Sequence, residues 1–597
     1  MRQYQEEYIA NIERILKLMQ HTALRGLSRE ETNRRLMARG AKVRELREKN
    51  TGILRESLIP ILDNILTADQ EDIDSLVEFT DVLMRSQLDA ALRYYVCKAL
   101  VSYARVKDKR NLLIKELYMT GMALFGLRSI SGGRNDGQLC WKMQMVFGEA
   151  AGYIRVYDEI EDAETRGYIH RSMGNLALGI VGHGGKAAEK KLEVIRRSLQ
   201  VLTDPSYHEK TPDLPWNTYI YKQHQERTTL MGELRGGEVT AKIVGEVMES
   251  AQYVYDRQMK NAKERGIPLE ARWLQTYYAA SYYCGVYALP ELLHKLEELY
   301  AAVSFSDYST NGMYGNIYLP AIYSVYASKD AELLQRKKPV ILMMYRRITK
   351  YLKLVPLGEN MDNLFFYIRA ILDVYIEYPG ENCFREYAES VIAYRQPETY
   401  VHSCRVAKLA LLIFEYVLQE EPEQLTGIRG IESVEELRLR REETEKFLEE
   451  CCILHDIGKL KLLELYEVPG RSWFAEEEEI HRFHPVFGYE MLKRCDSTKE
   501  FAPVVLGHHR WYDGQGGFPE EYHRETERDA VLTDIVSAAD FIDKSCSSGG
   551  TYRNEVIRPE EMFERLQSFS GTRFSPCIVE AVLGKESEIE KIIDSPF

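Results

Sequence analysis

Apolar residues recur every three or four positions along most of this chain, and that spacing limits the fold more than any other feature. Near the N-terminus it places five residues on one face of a helix: Ile9, Ile12, Ile15, Leu16 and Met19. It returns a little later at Leu54, Leu58, Ile61 and Ile65. Strand signals are few, Gly and Pro are sparse, and helix-forming residues are plentiful. We therefore predict an all-α fold.

Residues 1–378 contain several stretches that read as pairs of helices, and the clearest are 168–205, 273–308 and 316–351. Small and aromatic residues on paired helices resemble tetratricopeptide-like repeats, in which each pair buries its face against the next. The spacing drifts from the regular repeat of about 34 residues, so a plain helical bundle is the alternative. The tyrosine-rich stretches are expected in the core. Without a catalytic grouping, this region is predicted to be regulatory, with one or two subdomains that bind a protein or peptide partner or form a homodimer.

Length and charge exclude several classes of protein. A chain of 597 residues is too long for a single core and predicts two to four domains. Its formal net charge of −14 argues against binding to a nucleic acid polymer, because no basic excess can neutralise the phosphates. Ten cysteines with no Cys-x-x-Cys pair fit a reduced, cytosolic protein better than a disulfide framework. The polar N-terminus and the shortness of the apolar stretch 409–414 indicate no signal peptide and no membrane span, so we expect a soluble cytoplasmic protein.

Histidines concentrate in the last third of the chain, where seven of the thirteen lie between His402 and His523. With nearby carboxylates they give a candidate set of metal ligands: Glu398, His402, His455, Asp456, His484, His508, His509 and Asp540. The set is too large for one ion, and it lacks the cysteines of a structural zinc site. Mixed nitrogen and oxygen ligands favour iron or manganese, with zinc and nickel as alternatives. His481 is expected at the surface.

The local sequence around these residues supports a buried site. His455 and Asp456 follow an apolar helix end, and their adjacent side chains can reach neighbouring coordination positions. Glu398 and His402 lie one turn apart on one face of a predicted helix. Read alone, that pair is a core histidine beside a salt-bridged glutamate. Asp540 lies among small apolar residues, where a carboxylate needs a cation or hydrogen-bond donors.

In this order the residues resemble the HD-GYP subgroup of the HD-domain phosphohydrolases, over about residues 384–585. We therefore predict an HD-GYP-like domain over 384–597, after a boundary near the turn-forming cluster 378–382. The resemblance implies a helical, metal-dependent phosphodiesterase domain. Two or three divalent ions would be held by the eight residues above, with the adjacent pair His455 and Asp456 as the bridge point of the centre. Glu398 matches the extra carboxylate of trinuclear centres in that family.

The substrate contacts are implied by the same resemblance. Lys459 occupies the position whose lysine contacts the substrate phosphate, and Lys459 and Asp456 are the expected catalytic residues. The loop after the paired histidines implies contacts from Asp513 and Phe518, but it ends Gly-Phe-Pro instead of Gly-Tyr-Pro and is one residue longer. Of the two basic residues that the family offers after its last ligand, only Arg553 has a clear match. These departures leave weaker or altered substrate binding open.

The reaction that the resemblance implies is hydrolysis of a cyclic dinucleotide, first of all cyclic di-GMP, by a hydroxide that the metals activate. Lys459 and Arg553 would neutralise the phosphate charge that grows in the transition state. Two alternatives are the same chemistry on another cyclic dinucleotide or nucleotide, and a non-catalytic sensor that binds the nucleotide. Inactive members of the family would be expected to lose metal ligands. Because the whole set is present here, the enzyme is favoured over the sensor.

Overall fold

The computed structural model describes residues 1–19, 29–133, 136–182, 185–231, 240–355, 361–374, 383–467, 470–546 and 556–594. Over these ranges the regular elements are helices, and strands are absent apart from two isolated bridges. The prediction of an all-α fold is therefore confirmed. In the same ranges, no helix has both the length and the apolar character that crossing a bilayer requires.

The chain divides into two compact units. The first contains residues 1–10 and 52–341, and the second contains residues 11–51 and 342–597. The predicted domain 384–597 lies within the second unit, which also includes two segments that we had placed in the N-terminal region. The predicted boundary cluster lies outside the described residues, so the domain limits stay a proposal.

The described residues as far as Leu352 form seventeen α-helices. They are α1 (Gln3–Leu18), α2 (Arg29–Ile53), α3 (Ile59–Asp63), α4 (Gln70–Arg85), α5 (Ala90–Val106), α6 (Arg110–Ile130), α7 (Asp136–Gly152), α8 (Ala163–Asn175), α9 (Gly185–Leu202), α10 (Pro205–Lys210), α11 (Trp216–Thr229), α12 (Ala241–Arg265), α13 (Ala271–Tyr283), α14 (Leu289–Ala302), α15 (Thr310–Met313), α16 (Leu319–Ala327) and α17 (Ala331–Leu352). Single π-helical turns lie at Leu54–Leu58 and Tyr314–Tyr318, and 3-10 segments at Ile65–Thr67, Tyr153–Glu159 and Leu176–Gly179.

Within the first unit, helices that follow one another in the chain pack against each other, as α5 does on α6 and α6 on α7. Side chains such as Asp69 and Asp162 begin helices by accepting a hydrogen bond from a backbone N–H of the first turn. Two of the three predicted helix pairs are confirmed, as α8 with α9 and α13 with α14, whereas for the third the two predicted helices are present as α16 and α17 and their pairing stays a prediction. Whether the pairs form a tetratricopeptide-like array stays a prediction.

Thirteen more α-helices lie in the described ranges from residue 361 onward. They are α18 (Met361–Val374), α19 (Cys383–Arg395), α20 (Pro397–Glu420), α21 (Val434–Leu439), α22 (Arg441–Leu454), α23 (Leu463–Glu467), α24 (Ala475–His481), α25 (His484–Leu492), α26 (Ala502–Gly507), α27 (Ala530–Cys546), α28 (Pro559–Ser568), α29 (Pro576–Leu583) and α30 (Glu586–Asp594). The 3-10 segments here are Pro422–Leu425, Ile428–Gly430, Ile457–Leu462, Lys499–Phe501 and Arg524–Thr526.

Helix α20 lies at the centre of the second unit and packs on α22 and α27. Its apolar face is fully buried, and it carries Val406, Leu409, Ala410, Ile413 and Phe414. The segment 457–462 packs on α25 through two glycines. A Cβ on Gly458 would lie 1.8 Å from the carbonyl oxygen of His484 and 2.6 Å from the backbone nitrogen of Gly488. Only a glycine therefore lets the turn after α22 come this close to α25.

Residues 11–51 are an integral part of the second unit. In α2, Arg47 donates through Nε and Nη2 to the carbonyl oxygen of Arg471, at 3.2 and 3.1 Å. Asn50 donates to the carbonyl oxygen of Gly470 at 2.9 Å, and Asn11 donates to Asn50 at 2.9 Å. All three side chains are almost fully buried. Helix α2 is thus fixed to the segment that follows α23.

Candidate metal centre

Five helices of the second unit bring the predicted imidazole and carboxylate ligands together. They are His402 near the start of α20, His455 and Asp456 directly after α22, His484 at the start of α25, His508 and His509 directly after α26, and Asp540 within α27. All of them except His509 are at most 9% exposed. So many buried polar groups need partners of high charge.

The first group of ligand atoms comes from His402, His455, Asp456 and Asp540, and these atoms lie within 4.8 Å of one another. The Nε2 atom of His402 is 3.2 Å from Nε2 of His455 and 2.9 Å from Oδ1 of Asp540. The Nε2 atom of His455 is 3.3 Å from that same oxygen and 3.3 Å from Oδ2 of Asp456.

The second group comes from His484, His508 and His509. Its Nε2 atoms on His484 and His508 are 3.3 Å apart. The Oδ1 atom of Asp456 faces this group, at 3.2 Å from His484 Nε2 and 4.0 Å from His508 Nε2. The two carboxylate oxygens of Asp456 therefore face different groups.

The donors fit divalent ions. Nitrogen and oxygen ligands lie about 2.0–2.2 Å from such an ion, so neighbouring ligand atoms end up roughly 3 Å apart, as they do in both groups. Oδ1 of Asp456 and Nε2 of His509 are buried and form no hydrogen bond among the described residues. A buried polar atom without a partner is costly, and divalent ions held by the two groups would supply the missing partners.

The imidazoles are held with Nε2 toward the centre. The Nδ1–H groups of His455, His484 and His508 donate to the backbone carbonyls three residues earlier, at 2.6, 2.8 and 2.7 Å. That directs the Nε2 atom of each ring toward the centre, where it can bind a cation in place of a proton. His402 differs, because its Nδ1 lies 2.6 Å from Oδ2 of Asp543. Asp543 in turn accepts from Arg405 at 2.5 and 3.2 Å.

Electrostatics favours the protonation states that metal ligands need. Burial lowers the pKa of His484, and it lowers the pKa of His508 and His509 well below the usual range, so these three imidazoles are neutral. Burial would raise the pKa of Asp456 and Asp540, but nearby cations hold both well below the usual range. Both carboxylates are ionised as a result.

His455 shows what the two carboxylates do. Burial opposes protonation of its ring, yet Asp456 and Asp540 raise the pKa of His455 to about 9. The imidazole keeps a proton because two anions face it. A divalent ion among the same atoms would replace that proton.

Two lysines reach the carboxylates. The Nζ atom of Lys459 lies 2.5 Å from Oδ2 of Asp456, and burial lowers the pKa of Lys459. The Nζ atom of Lys544 lies 2.9 Å from Oδ1 of Asp540 and 3.9 Å from Oδ2 of Asp456. Both side chains belong to the wall of one cavity of about 440 Å3 above the ligand groups.

That cavity has the size and the lining of a small-molecule site, for which roughly 300–1,000 Å3 is usual. His402, His509 and Asp540 form part of its wall, whereas the other ligands lie below it. Five aromatic residues and three arginines also line it: Tyr466, Trp473, Trp511, Phe518, Phe541, Arg405, Arg482 and Arg573. The cavity therefore combines flat apolar surfaces with positive charge next to the ligand atoms.

Glu398 is the one predicted ligand that joins neither group. It is 6% exposed and lines the cavity, but its carboxylate is paired with the guanidinium of Arg39 from α2. The side chains of this pair are 3% and 7% exposed. This contact agrees with the alternative interpretation of Glu398 as a buried glutamate in a salt bridge.

The predicted substrate contacts have different outcomes. The ring of Phe518 lines the cavity, with its centre 4.7 Å from that of His509. Asp513 is exposed, does not line the cavity, and accepts from the backbone N–H of Gln515 at 2.9 Å. Arg553 lies outside the described residues. His481, which we expected at the surface, is half-buried and stacks on the ring of His484, so that expectation is wrong.

Three residues that the sequence pattern did not single out support the candidate ligands: Asp543 contacts His402, Lys544 contacts Asp540, and Arg405 contacts Asp543. Asp543 and Lys544 lie three and four positions after Asp540, and Arg405 lies three positions after His402. On a helix, such spacing puts them on the same face as the ligand. The spacing of three or four positions from a predicted ligand could therefore have identified these residues from the sequence.

Comparison with known proteins agrees with this geometry. The HD domain family model matches residues 399–544. A cyclic di-GMP phosphodiesterase of Thermotoga maritima is 34% identical over 143 residues, which are 23% of this chain and 37% of that protein. The cyclic di-GMP phosphodiesterase response regulator RpfG of Xanthomonas campestris is 28% identical over 172 residues, 28% of this chain and 44% of that protein.

The chain thus spans less than half the length of either relative. An HD domain implies binding of divalent metal, and the two ligand groups suit such ions. The resemblance of the C-terminal third to HD-domain phosphohydrolases is confirmed by the match. The C-terminal region of this chain, residues 399–544, is an HD domain.

Proposed function

We propose that the C-terminal region is a metal-dependent phosphodiesterase that hydrolyses a cyclic dinucleotide, with cyclic di-GMP as the expected substrate. One observation carries the proposal. Inside an HD domain, the two oxygens of Asp456 face two separate groups of imidazoles, 3.3 Å from His455 Nε2 and 3.2 Å from His484 Nε2. A carboxylate in that position could hold an ion at each group, as a two-metal site would need. The names of the two relatives support the choice of substrate.

The proposed centre holds two ions, and iron or manganese suits the mixed nitrogen and oxygen donors best. The expectation of a third ion rested on Glu398, and we propose that Glu398 pairs with Arg39 instead of a metal. When bound, two divalent ions would activate water for in-line attack on phosphorus and neutralise the charge on the phosphodiester.

The protein's own residues have distinct tasks in this proposal. Asp456 and Asp540 supply the negative charge that retains the ions. Asp543 holds His402 in position through the contact at Nδ1. Lys459, which reaches both the cavity and Asp456, would bind a phosphate oxygen and stabilise its growing charge. The aromatic side chains of the cavity offer surfaces for stacking of the bases.

The experiment is turnover of cyclic di-GMP by the full chain loaded with Mn2+ or Fe2+. Asp456→Asn should abolish hydrolysis, because the amide cannot bridge two ions. Asp496→Asn is the matched control, since Asp496 is an exposed aspartate paired with Lys499. It should keep full activity.

The other outcomes discriminate between the alternatives. If the metal-loaded protein binds cyclic di-GMP without hydrolysing it, the protein is a sensor and not an enzyme. Turnover of another cyclic dinucleotide or nucleotide, with cyclic di-GMP left intact, would keep the chemistry and correct the substrate. Equal hydrolysis by the wild type and Asp456→Asn would contradict the proposal.

For the helical region 1–378 we propose a regulatory role in the cytoplasm, through a protein or peptide partner or a homodimer. Support comes from its helix pairs, since the described residues there contain no group of metal-ligating side chains. The molar mass of the full chain in solution tests the homodimer: a monomer at all concentrations would exclude it.

A further inference from the structure

We propose that Lys544 is a second phosphate-binding residue of this centre, which contacts substrate once metal ions occupy the ligand groups. The inference rests on the proposed function and adds a residue that neither the sequence pattern nor the comparisons assign. It starts from the position of the Lys544 ammonium group, 2.9 Å from a carboxylate that is a candidate ligand.

Lys544 and Lys459 approach the same carboxylates from different elements. Lys544 lies on α27, one turn after Asp540, and Lys459 lies in the segment 457–462. Both side chains line the cavity, and they are 15% and 5% exposed. Two cations from separate elements are therefore directed at one small volume.

The contact of Lys544 competes with metal binding. Oδ1 of Asp540 already faces Nε2 of His402 at 2.9 Å and Nε2 of His455 at 3.3 Å. A divalent ion held by these atoms would stand next to the ammonium group and repel it. The flexible four-carbon side chain of lysine allows the group to move away.

The direction of that movement follows from burial. Phe541, Asp543 and Lys544 all line the cavity, and of the three only Lys544 is not fully buried, so its exposed part lies at the cavity wall. An ammonium group displaced from Asp540 thus enters the space beside the ions, where a phosphodiester would bind. A cyclic dinucleotide carries two phosphates, so a cation besides Lys459 has an anion to neutralise.

The test compares Lys544→Met and Lys544→Arg in the full chain, with Lys499→Met as the matched control. Lys499 is exposed and pairs with Asp496, away from the cavity. The measurements are the affinity for Mn2+ by competition with a chelator, and KM and kcat for cyclic di-GMP with Mn2+ in excess.

Lys544→Met should bind Mn2+ at least as tightly as the wild type, because a competing cation is gone. It should raise KM by about 10-fold or more, the effect of losing one charged hydrogen bond. Lys544→Arg should recover most of that loss. Weaker Mn2+ binding together with an unchanged KM would overturn the proposal, since Lys544 would then only support the fold.

Binding of inorganic phosphate to the Mn2+-loaded protein separates this proposal from the proposed function. If the wild type hydrolyses no cyclic dinucleotide, the proposed function fails, but Lys544→Met should still bind phosphate about 10-fold more weakly. Equal phosphate affinity of the wild type and Lys544→Met would overturn the role of Lys544 whatever the activity.

Discussion

Replacing Asp543 by asparagine tests how the protein positions His402, a proposed metal ligand. Asp543 contacts the ring of His402 and is not itself a proposed ligand. Asp543 accepts from His402 Nδ1 at 2.6 Å and from Arg405 at 2.5 Å, and all three side chains are at most 9% exposed. The amide keeps the shape of the side chain but loses its charge. Its NH2 group replaces one of the two carboxylate oxygens, so at least one of the three hydrogen bonds from His402 and Arg405 is lost together with the negative charge.

Two effects follow, and their sizes differ. Loss of a carboxylate behind a metal-bound histidine typically lowers metal affinity or activity by about 10- to 100-fold. That range corresponds to about 1.4–2.7 kcal/mol of binding free energy. Separately, Arg405 keeps a buried charge without its anion, and breaking a buried pair costs about 3–5 kcal/mol of folding free energy.

Asp534→Asn separates the two effects. Asp534 lies on the same helix, α27, and pairs with Arg524 at 2.7 Å, but it does not line the cavity. The assays are Mn2+ affinity by chelator competition and thermal unfolding with excess chelator. Both variants should unfold at lower temperature, and only Asp543→Asn should bind Mn2+ more weakly. Mn2+ affinity within twofold of the wild type for Asp543→Asn would refute the reasoning.

Three further predictions concern other parts of the molecule. Gly458→Ala should unfold the HD domain or make it lose its metal, because the new Cβ would lie 1.8 Å from the His484 carbonyl oxygen. The expected loss of folding free energy is at least about 3 kcal/mol. Differential scanning calorimetry measures it, and Gly245→Ala is the control because nothing lies within 4 Å of a Cβ there. Glu398→Gln should lower the unfolding temperature but leave the metal content by mass spectrometry unchanged, and loss of an ion would show that Glu398 binds metal. Burial raises the pKa of Glu116 to about 8, so the folded state holds a proton that the unfolded state releases near pH 4.5. Stability of the first unit should therefore fall as pH rises from about 4.5 to 8, by roughly 1.4 kcal/mol per pH unit at most, and Glu116→Gln should remove that slope in calorimetric melts.

Much of the fold and of the ligand set could be predicted because both depend on local pattern. Helical periodicity gave two of the three helix pairs, and an adjacent His455 and Asp456 after an apolar helix end indicated a buried turn. Of the eight predicted ligands, seven lie in the two groups. The exception, Glu398, has the helical spacing of a ligand, but its partner Arg39 lies 359 positions away in the sequence.

The features that the sequence did not predict depend on contacts between residues far apart in the chain, and helical periodicity carries no information about such contacts. Residues 11–51 join the second unit through contacts such as that of Arg47 with the carbonyl oxygen of Arg471. Asp543 and Lys544 read as polar residues of a helix surface, since only the packing of α27 on α20 shows that they face His402 and the cavity. Charged residues three or four positions from a predicted ligand deserve the same scrutiny as the ligand.

The most direct test of the two-metal centre is the stoichiometry and magnetic coupling of Mn2+ in the full chain. Mass spectrometry of the metal content together with electron paramagnetic resonance should show two ions per chain with the spectrum of an exchange-coupled pair, because in the proposed centre Asp456 would hold an ion at each group. Asp456→Asn should lose the coupling and at least one ion. A single uncoupled ion in the wild-type protein, or two uncoupled ions that persist in Asp456→Asn, would contradict the account.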